Sequence, residues 1–314
     1  MLDQVDVVGA GLIGGSLALR LAALGRTVRV IDRDPDTRAR AQAAGLVVGE
    51  AVSPTADLVV IGTPLDILAE TMAHVAVAAP AALVVDVGSV KQAPALAAER
   101  AGLGHRYVGA HPMAGTEHTG FEHAYADLLV GATWAVTHGG GTEETSRVVD
   151  WLTTDLDATV VLLGAAEHDR AVALVSHGPH AVAHALLATA EAAAPTVAGL
   201  LAAGSFRDGT RVAGRNPART FNMLSENGEA LGPVLDDVIG ELAALRADLA
   251  DPAALRARLE AAAAGDDVVR RAEPPFEPCS SLPEAVERAG RDGAAVAVRR
   301  RAGVLEVAEI STVS

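Results

Sequence analysis

Aromatic side chains are nearly missing from this chain: Phe, Trp and Tyr together make up 3% of its 314 residues. Any core must therefore be built from Ala, Val, Leu and Ile, whose small side chains suit close helix packing. Cysteine is almost absent too. The single Cys279 excludes an internal disulfide and fits a reducing compartment. Positive charge is scarce, with 25 basic against 40 acidic residues and a net charge of −15. A nucleic-acid partner normally meets a basic stripe, and Arg299–Arg300–Arg301, the only basic run, reads as the solvated end of a strand. No signal peptide precedes the first expected strand, near Gln4. The Ala-rich run 181–203 carries His184, Glu191 and Pro195, which makes it a poor membrane span. A soluble, cytoplasmic protein with no nucleic-acid or membrane partner is expected.

What is present points to two cores and a tail. Residues 4–34 read as strand "QVDVV", turn "GAGLIGGS", a helix to about Leu24, strand "TVRVI" and then Asp32. Gly9, Gly11 and Gly14 lie between strand and helix, and Asp32 follows near the spacing of about 20 residues expected of a dinucleotide fold. Such glycines let a backbone approach a pyrophosphate, with Leu12 and Ile13 opening the helix whose N–H groups face it. Asp32 suits a ribose diol and repels a 2′-phosphate, which favours NAD; Arg33, a usual hint of NADP, counts for less behind an acidic residue. Further strands, "ADLVVIGTP", "ALVVDVGSV", "RYVGA", "TWAVTH" and "ATVVLL", imply a largely parallel sheet buried on both faces. Ligands bind beyond the carboxyl ends of such strands. Thr63–Pro64, "GSVK" and "HPMAGTE" all fall there.

From Ala165 the pattern turns to Ala/Leu-rich helices, the mark of an all-α second domain. The expected division is 1–163, 164–265 and a short βαββ tail, 266–314, resembling part of an ACT module. Helices this apolar are expected to bury a face against a second copy of the chain, giving a homodimer. His177, His180 and His184 share one helix face, but without a fitting carboxylate they make a weak metal site, and none is expected. The stretch "GSFRDGTRVAGRNPART" reads as a Gly-broken polar loop between helices. Its Asp208 and Arg211 are either solvated charges or a carboxylate-binding pair; physics alone leaves both open.

The motifs "VVGAGLIGGSLAL", "DVGSVK", "GAHPMAGTEHTGF", "SHGPH" and "FRDGTRVA" occur in order, and over roughly residues 4–250 the chain resembles the TyrA family of prephenate and arogenate dehydrogenases. The resemblance implies a Rossmann domain, a helical dimerisation domain and oxidative decarboxylation of prephenate with a nicotinamide cofactor. It assigns His111 as base, Ser89 as a hydroxyl orienting substrate and base, and Arg211, oriented by Asp208, as carboxylate ligand. His180 matches a contact to the side-chain carboxylate and Glu117 a polar residue at the entrance, while His177 is either a substrate contact or structural. Histidine suits a base near neutral pH. Two departures stand out: "NPARTFNM" lacks the tryptophan many relatives place there, and the tail is about half of an ACT module, so tyrosine control does not follow. A β-hydroxyacid dehydrogenase would want a lysine in the helical domain, and the one lysine is Lys91. A non-catalytic NAD sensor would tolerate loss of His111, Ser89 or Arg211, and all three are present. Arogenate, with an amine for the ketone, is the alternative substrate.

Overall fold

A computed structural model describes residues 2–116, 118–137, 140–213, 217–270, 274–289 and 295–310. Strand β1 (Gln4–Val8) enters α1 (Leu12–Ala23) through the glycine turn, and β2 (Thr27–Ile31), α2 (Pro35–Ala43) and β3 (Val47–Val48) follow. The chain then runs through β4 (Leu58–Ile61), α3 (Leu65–Ala78), β5 (Leu83–Asp86), α4 (Gln92–Arg100) and β6 (Tyr107–Pro112). Next come β7 (Thr133–Thr137), α5 (Thr142–Asp155) and β8 (Thr159–Leu163). Strands β4 and β5 are buried at every residue, as expected where helices cover both faces.

The order β3-β2-β1-β4-β5-β6 is parallel throughout, with the chain reversing direction across the sheet between β1 and β4. That switch point is where such sheets take a ligand. Beyond it the expected parallel pattern breaks, because β7 runs antiparallel to β6, pairing Pro112 with Trp134. Its cause is the intervening stretch, which folds back over α1 instead of crossing over as a helix. Phe121 presses against Gly15, where a Cβ would come within 2.8 Å of its ring, and Tyr125 N–H donates to the Ser16 hydroxyl at 3.1 Å.

The helical half opens with α6 (Ala165–Val172), a π-helical turn at Ala173–His177 and α7 (Gly178–Ala193), stacked as one rod. Pro179 lacks the N–H that an α-helix would use, and the wider turn just before it absorbs the mismatch. Next are α8 (Pro195–Leu201), α9 (Gly204–Thr210), α10 (Pro217–Glu226), α11 (Gly228–Asp248) and α12 (Pro252–Arg270). The expected loop at "GSFRDGTRVAG" is thus largely helix: Gly204–Thr210 coils against α7, with Gly209 facing Leu186. Packing overrides the weak propensity of its glycines. By length and composition the rod 165–193 could cross a membrane.

Strand β9 (Glu277–Pro278), α13 (Leu282–Ala289), β10 (Ala295–Arg301) and β11 (Val304–Ile310) give the expected βαββ order. They do not stand apart. Strand β10 pairs antiparallel with β8, so the tail lengthens the first domain's sheet to β8-β10-β11-β9. Of the arginines read as solvated, Arg299 pairs with Glu306 at 2.8 Å and Arg300 with Asp150 at 2.6 Å. The facing strand of the β10–β11 hairpin supplies Glu306, seven residues on, while Asp150 comes from the distant α5.

Candidate active site

The dinucleotide turn is built by close approach. Gly9 sits at φ +88°, and a Cβ there would lie 2.8 Å from the Gly62–Thr63 backbone; at Gly14 it would run into the Gly9 carbonyl. Gly11 differs, because open space lies where its Cβ would project. The first turn of α1 therefore presents unpaired N–H groups to a gap, the arrangement an anion needs. Leu12 is buried and Ile13 packs on the core, so both face that gap with backbone only. Asp32 directly follows β2 and is braced there, accepting from Ala10 N–H at 2.8 Å and Asp34 N–H at 2.9 Å.

Gly9, Asp32, Arg33, Thr63 and Pro64 line one cleft of about 460 Å³ beside the switch point, as sequence spacing expects. Glu50 and Arg38 line it as well, and sequence reading missed both. The Arg38 guanidinium donates to the carbonyls of Asp32 and Arg33 at 2.9 and 3.0 Å. Thr63 Oγ1 is buried without a partner among the described residues. An open glycine cradle, an orphaned hydroxyl and a braced carboxylate together fit a dinucleotide.

His111 lies near the end of β6 and Ser89 just past the end of β5, with Asp86 paired to Gly109 in register. Both are half-buried, and the Ser89 hydroxyl hydrogen-bonds no described residue. Behind His111 stands a histidine that motif reading passed over. His111 Nδ1 is 3.0 Å from His168 Nε2, and His168 Nδ1 is 2.7 Å from Asp169 Oδ1. Asp169 also accepts from the N–H of Lys91 at 2.7 Å and of Gln92 at 2.9 Å, the opening of α4. Burial opposes the Asp169 charge, but bonds from His168, Gln92 and Lys91 hold its carboxyl below the usual range. Burial is also the leading effect on His168 and keeps it neutral, against the pull of Asp169.

Beneath this run lies a fully buried ion pair. Lys91 Nζ contacts Asp86 and donates to the Ala110 carbonyl at 2.9 Å, one residue before His111. The Tyr107 hydroxyl donates to the other Asp86 oxygen at 2.7 Å, and burial with the nearby charge keeps it protonated. The single lysine thus anchors the strand that carries His111.

On the helical side, His177 is buried and its Nδ1 accepts from Asn227 Nδ2 at 2.8 Å, a nitrogen that also donates to the Asp169 carbonyl. Burial pulls the His177 pKa down to about 4. His180 is half-buried one turn on. Asp208 lies inside α9 and Arg211 just after it; both are exposed, and no side-chain bond joins them among the described residues. Their one link is Arg211 N–H to the Asp208 carbonyl at 3.4 Å. Glu117 lies outside the described residues. His118 and His123 stack at 4.5 Å on an exposed loop.

Residues 16–162 match the model of the prephenate dehydrogenase nucleotide-binding domain, and residues 164–257 that of the prephenate dehydrogenase dimerization domain. A cyclohexadienyl dehydrogenase of Zymomonas mobilis is 31% identical, over 80% of this chain and 89% of its own length. A prephenate dehydrogenase of Bacillus subtilis is 33% identical, over 78% and 70%. Among solved structures, the Synechocystis arogenate dehydrogenase gives a TM-score of 0.74 at 30% identity, covering 84% of this chain and 99% of that one. The Aquifex aeolicus prephenate dehydrogenase, solved with hydroxyphenyl propionate and NAD+, gives 0.77 at 27% identity, over 84% and 97%. Two consecutive domain matches and relatives of this extent join the geometry of the strand ends: the chain belongs to the prephenate dehydrogenase family, dehydrogenases that act on prephenate, arogenate or both.

Proposed function

We propose that the protein is a prephenate dehydrogenase, converting prephenate to 4-hydroxyphenylpyruvate in tyrosine biosynthesis. The reading is carried by one observation: His111 and Ser89 stand on neighbouring strand ends, beside a cleft fitted to a dinucleotide. The cofactor is NAD. Asp32 and Glu50 bring two carboxylates to the cleft wall, unfavourable to an extra phosphate, and the Aquifex aeolicus relative is solved with NAD+. When bound, NAD supplies the acceptor for a hydride.

His111 takes the proton of the ring hydroxyl as hydride leaves the same carbon, and the O–H electron pair becomes the C=O bond. The C–C pair of the ring carboxylate then enters the ring, releasing CO2 and leaving a phenolate, which recovers the proton from His111. No net proton is consumed. Ser89 bonds the substrate hydroxyl and orients it toward His111. Arg211, with Asp208 near it, takes a substrate carboxylate; His180 faces the pyruvyl carboxylate and Glu117 guards the entrance. Arogenate is the second reading, favoured by the Synechocystis relative's coverage; His180 suits a keto acid better than an ammonium. The protein works in the cytoplasm as a homodimer through the helical domain, and the apolar rod 165–193 lies at that interface, not in a membrane.

Purified enzyme assayed with prephenate and arogenate, each with NAD and NADP, tests this directly. His111→Asn should lower kcat by roughly 10²–10⁴-fold with little change in KM. Near-wild-type kcat in that variant would exclude His111 as the base, and faster turnover of arogenate would reverse the substrate order.

A further inference from the structure

We propose that His168 and Asp169 are positioning residues that fix His111 in the one tautomer able to act as a base toward substrate. The inference rests on the reading of His111 as the base and adds how its proton is placed. Asp169 is the fixed end of the argument. A carboxylate only accepts, and its two oxygens already take N–H groups from Lys91 and Gln92 at the start of α4. The positive end of that helix favours the anion there. His168 Nδ1, 2.7 Å away, must therefore carry the hydrogen it donates.

A neutral imidazole with its hydrogen on Nδ1 has its lone pair on Nε2. His168 Nε2 lies 3.0 Å from His111 Nδ1, and the two rings meet edge to face at 67°. The hydrogen between them must then belong to His111 Nδ1. That leaves the lone pair of neutral His111 on Nε2, the nitrogen turned away from this chain of bonds. Once Nε2 gains the substrate proton, the Nδ1–H to His168 bond becomes charge-assisted, and the Asp169 charge lies one ring further back. The same pair therefore orients the base before proton transfer and supports the cation after it.

His168 and Asp169 are adjacent on α6, the first helix of the second domain, while Lys91, Gln92 and His111 belong to the first. Competence of the base thus depends on docking of the two domains. Asn227 on the α11 edge adds a clamp by donating to the Asp169 carbonyl at 2.8 Å.

The test begins with wild-type holoenzyme, since a buried substitution can fail to fold. Two-bond ¹H–¹⁵N spectra of histidine-labelled enzyme, with His111 assigned by its loss in His111→Asn, should show the proton on Nδ1. A proton on Nε2 in the resting enzyme would overturn the proposal. In kinetics, His168→Phe keeps the ring volume but removes the acceptor, and kcat should fall about 10²-fold with both KM values within about twofold. His168→Gln, whose amide oxygen can take the Nδ1–H, should recover at least about tenfold of that loss. Equal kcat in the Phe and Gln variants would reduce His168 to a packing residue. If His111→Asn is inactive while His168→Phe keeps kcat within about threefold, the base stands and this inference alone falls; an active His111→Asn removes the base itself.

Discussion

Behind His111 the polar groups are bonded: Asp86 and Lys91 of the sheet half, and Asp169 of α6 docked on it, are buried, and each meets at least two partners. On the helical side, Arg211 and Asp208 are exposed and share only a backbone contact. The contrast separates two demands. A base must be pre-ordered, since reorganisation during the reaction raises the barrier. Groups that recognise a charged substrate can stay hydrated until it arrives. Most of the exposed large apolar side chains among the described residues also belong to the open half, Leu200 (81% accessible), Leu201 (76%) and Phe221 (69%) among them. Exposed apolar surface of that kind marks an interface, and the matched domain is a dimerization domain.

Removing one partner of the buried ion pair should produce the largest effect. Lys91→Met leaves Asp86 charged and unpaired, with the Ala110 carbonyl orphaned, and should cost about 3–5 kcal/mol of stability by urea unfolding. Lys91→Met with Asp86→Leu removes both charges and should recover part of that loss, less the bond from Tyr107. If the double variant is no more stable than the single, the uncompensated charge is not the cause.

Acid should weaken the seam where the two halves meet. His177 has its pKa lowered to about 4, by burial first, against the attraction of Asp169. The unfolded chain then binds the proton more readily, so this contribution is complete above about pH 6.5 and is lost as pH falls toward 4. The whole window amounts to on the order of 3 kcal/mol. Burial lowers His168 in the same direction. Urea midpoints at pH 7.5 and pH 5 should converge in His177→Gln relative to wild type; an unchanged pH slope would clear His177 of the effect.

Legibility in the sequence followed the same division. The glycine turn, Asp32 and the strand-end positions of Ser89 and His111 were readable because each rests on short spacing or on strand periodicity. His168 and Asp169 were not, since they look like any polar pair on an amphipathic helix and gain meaning only by docking on α4 and β6. Asp86 and Lys91 stood in a quoted motif, but nothing local says that both side chains turn inward. The segment 204–210 read as loop because glycine and serine weigh against helix, whereas packing on α7 decides it. The tail's strands were legible, and their pairing with β8 was not, being a contact between distant parts of the chain.

Recognition should respond more modestly. If Arg211 takes a substrate carboxylate, Arg211→Lys keeps the charge but loses the two-pronged fork. KM for prephenate should rise by about 1.5–3 kcal/mol, roughly 10- to 150-fold, with melting temperature and cofactor KM unchanged. Exposure of Arg211 makes the stability half of this firm, since no described side chain loses a bond. A lower melting temperature with intact prephenate KM would make it a scaffold residue.

Cofactor choice should shift least, because two carboxylates share the task. Asp32 accepts two backbone N–H groups, so its charge is held in place just past the end of β2. Asp32→Ser removes that charge while leaving a hydroxyl to accept from Ala10 or Asp34. The ratio of kcat/KM for NAD over NADP should fall by about tenfold, or about 1.4 kcal/mol, chiefly through loss on the NAD side. Glu50 remains on the cleft wall, so the ratio should stay above one, and Glu50→Gln added to Asp32→Ser should lower it again. Arg38 is spent on the carbonyls of Asp32 and Arg33, which leaves the exposed Arg33 as the guanidinium best placed for a 2′-phosphate in the double variant. Arg33→Ala on that background should then cut NADP use and spare NAD. Should wild type already favour NADP, or should Asp32→Ser leave the ratio untouched, discrimination lies elsewhere in the cleft and Asp32 serves only to brace the glycine turn.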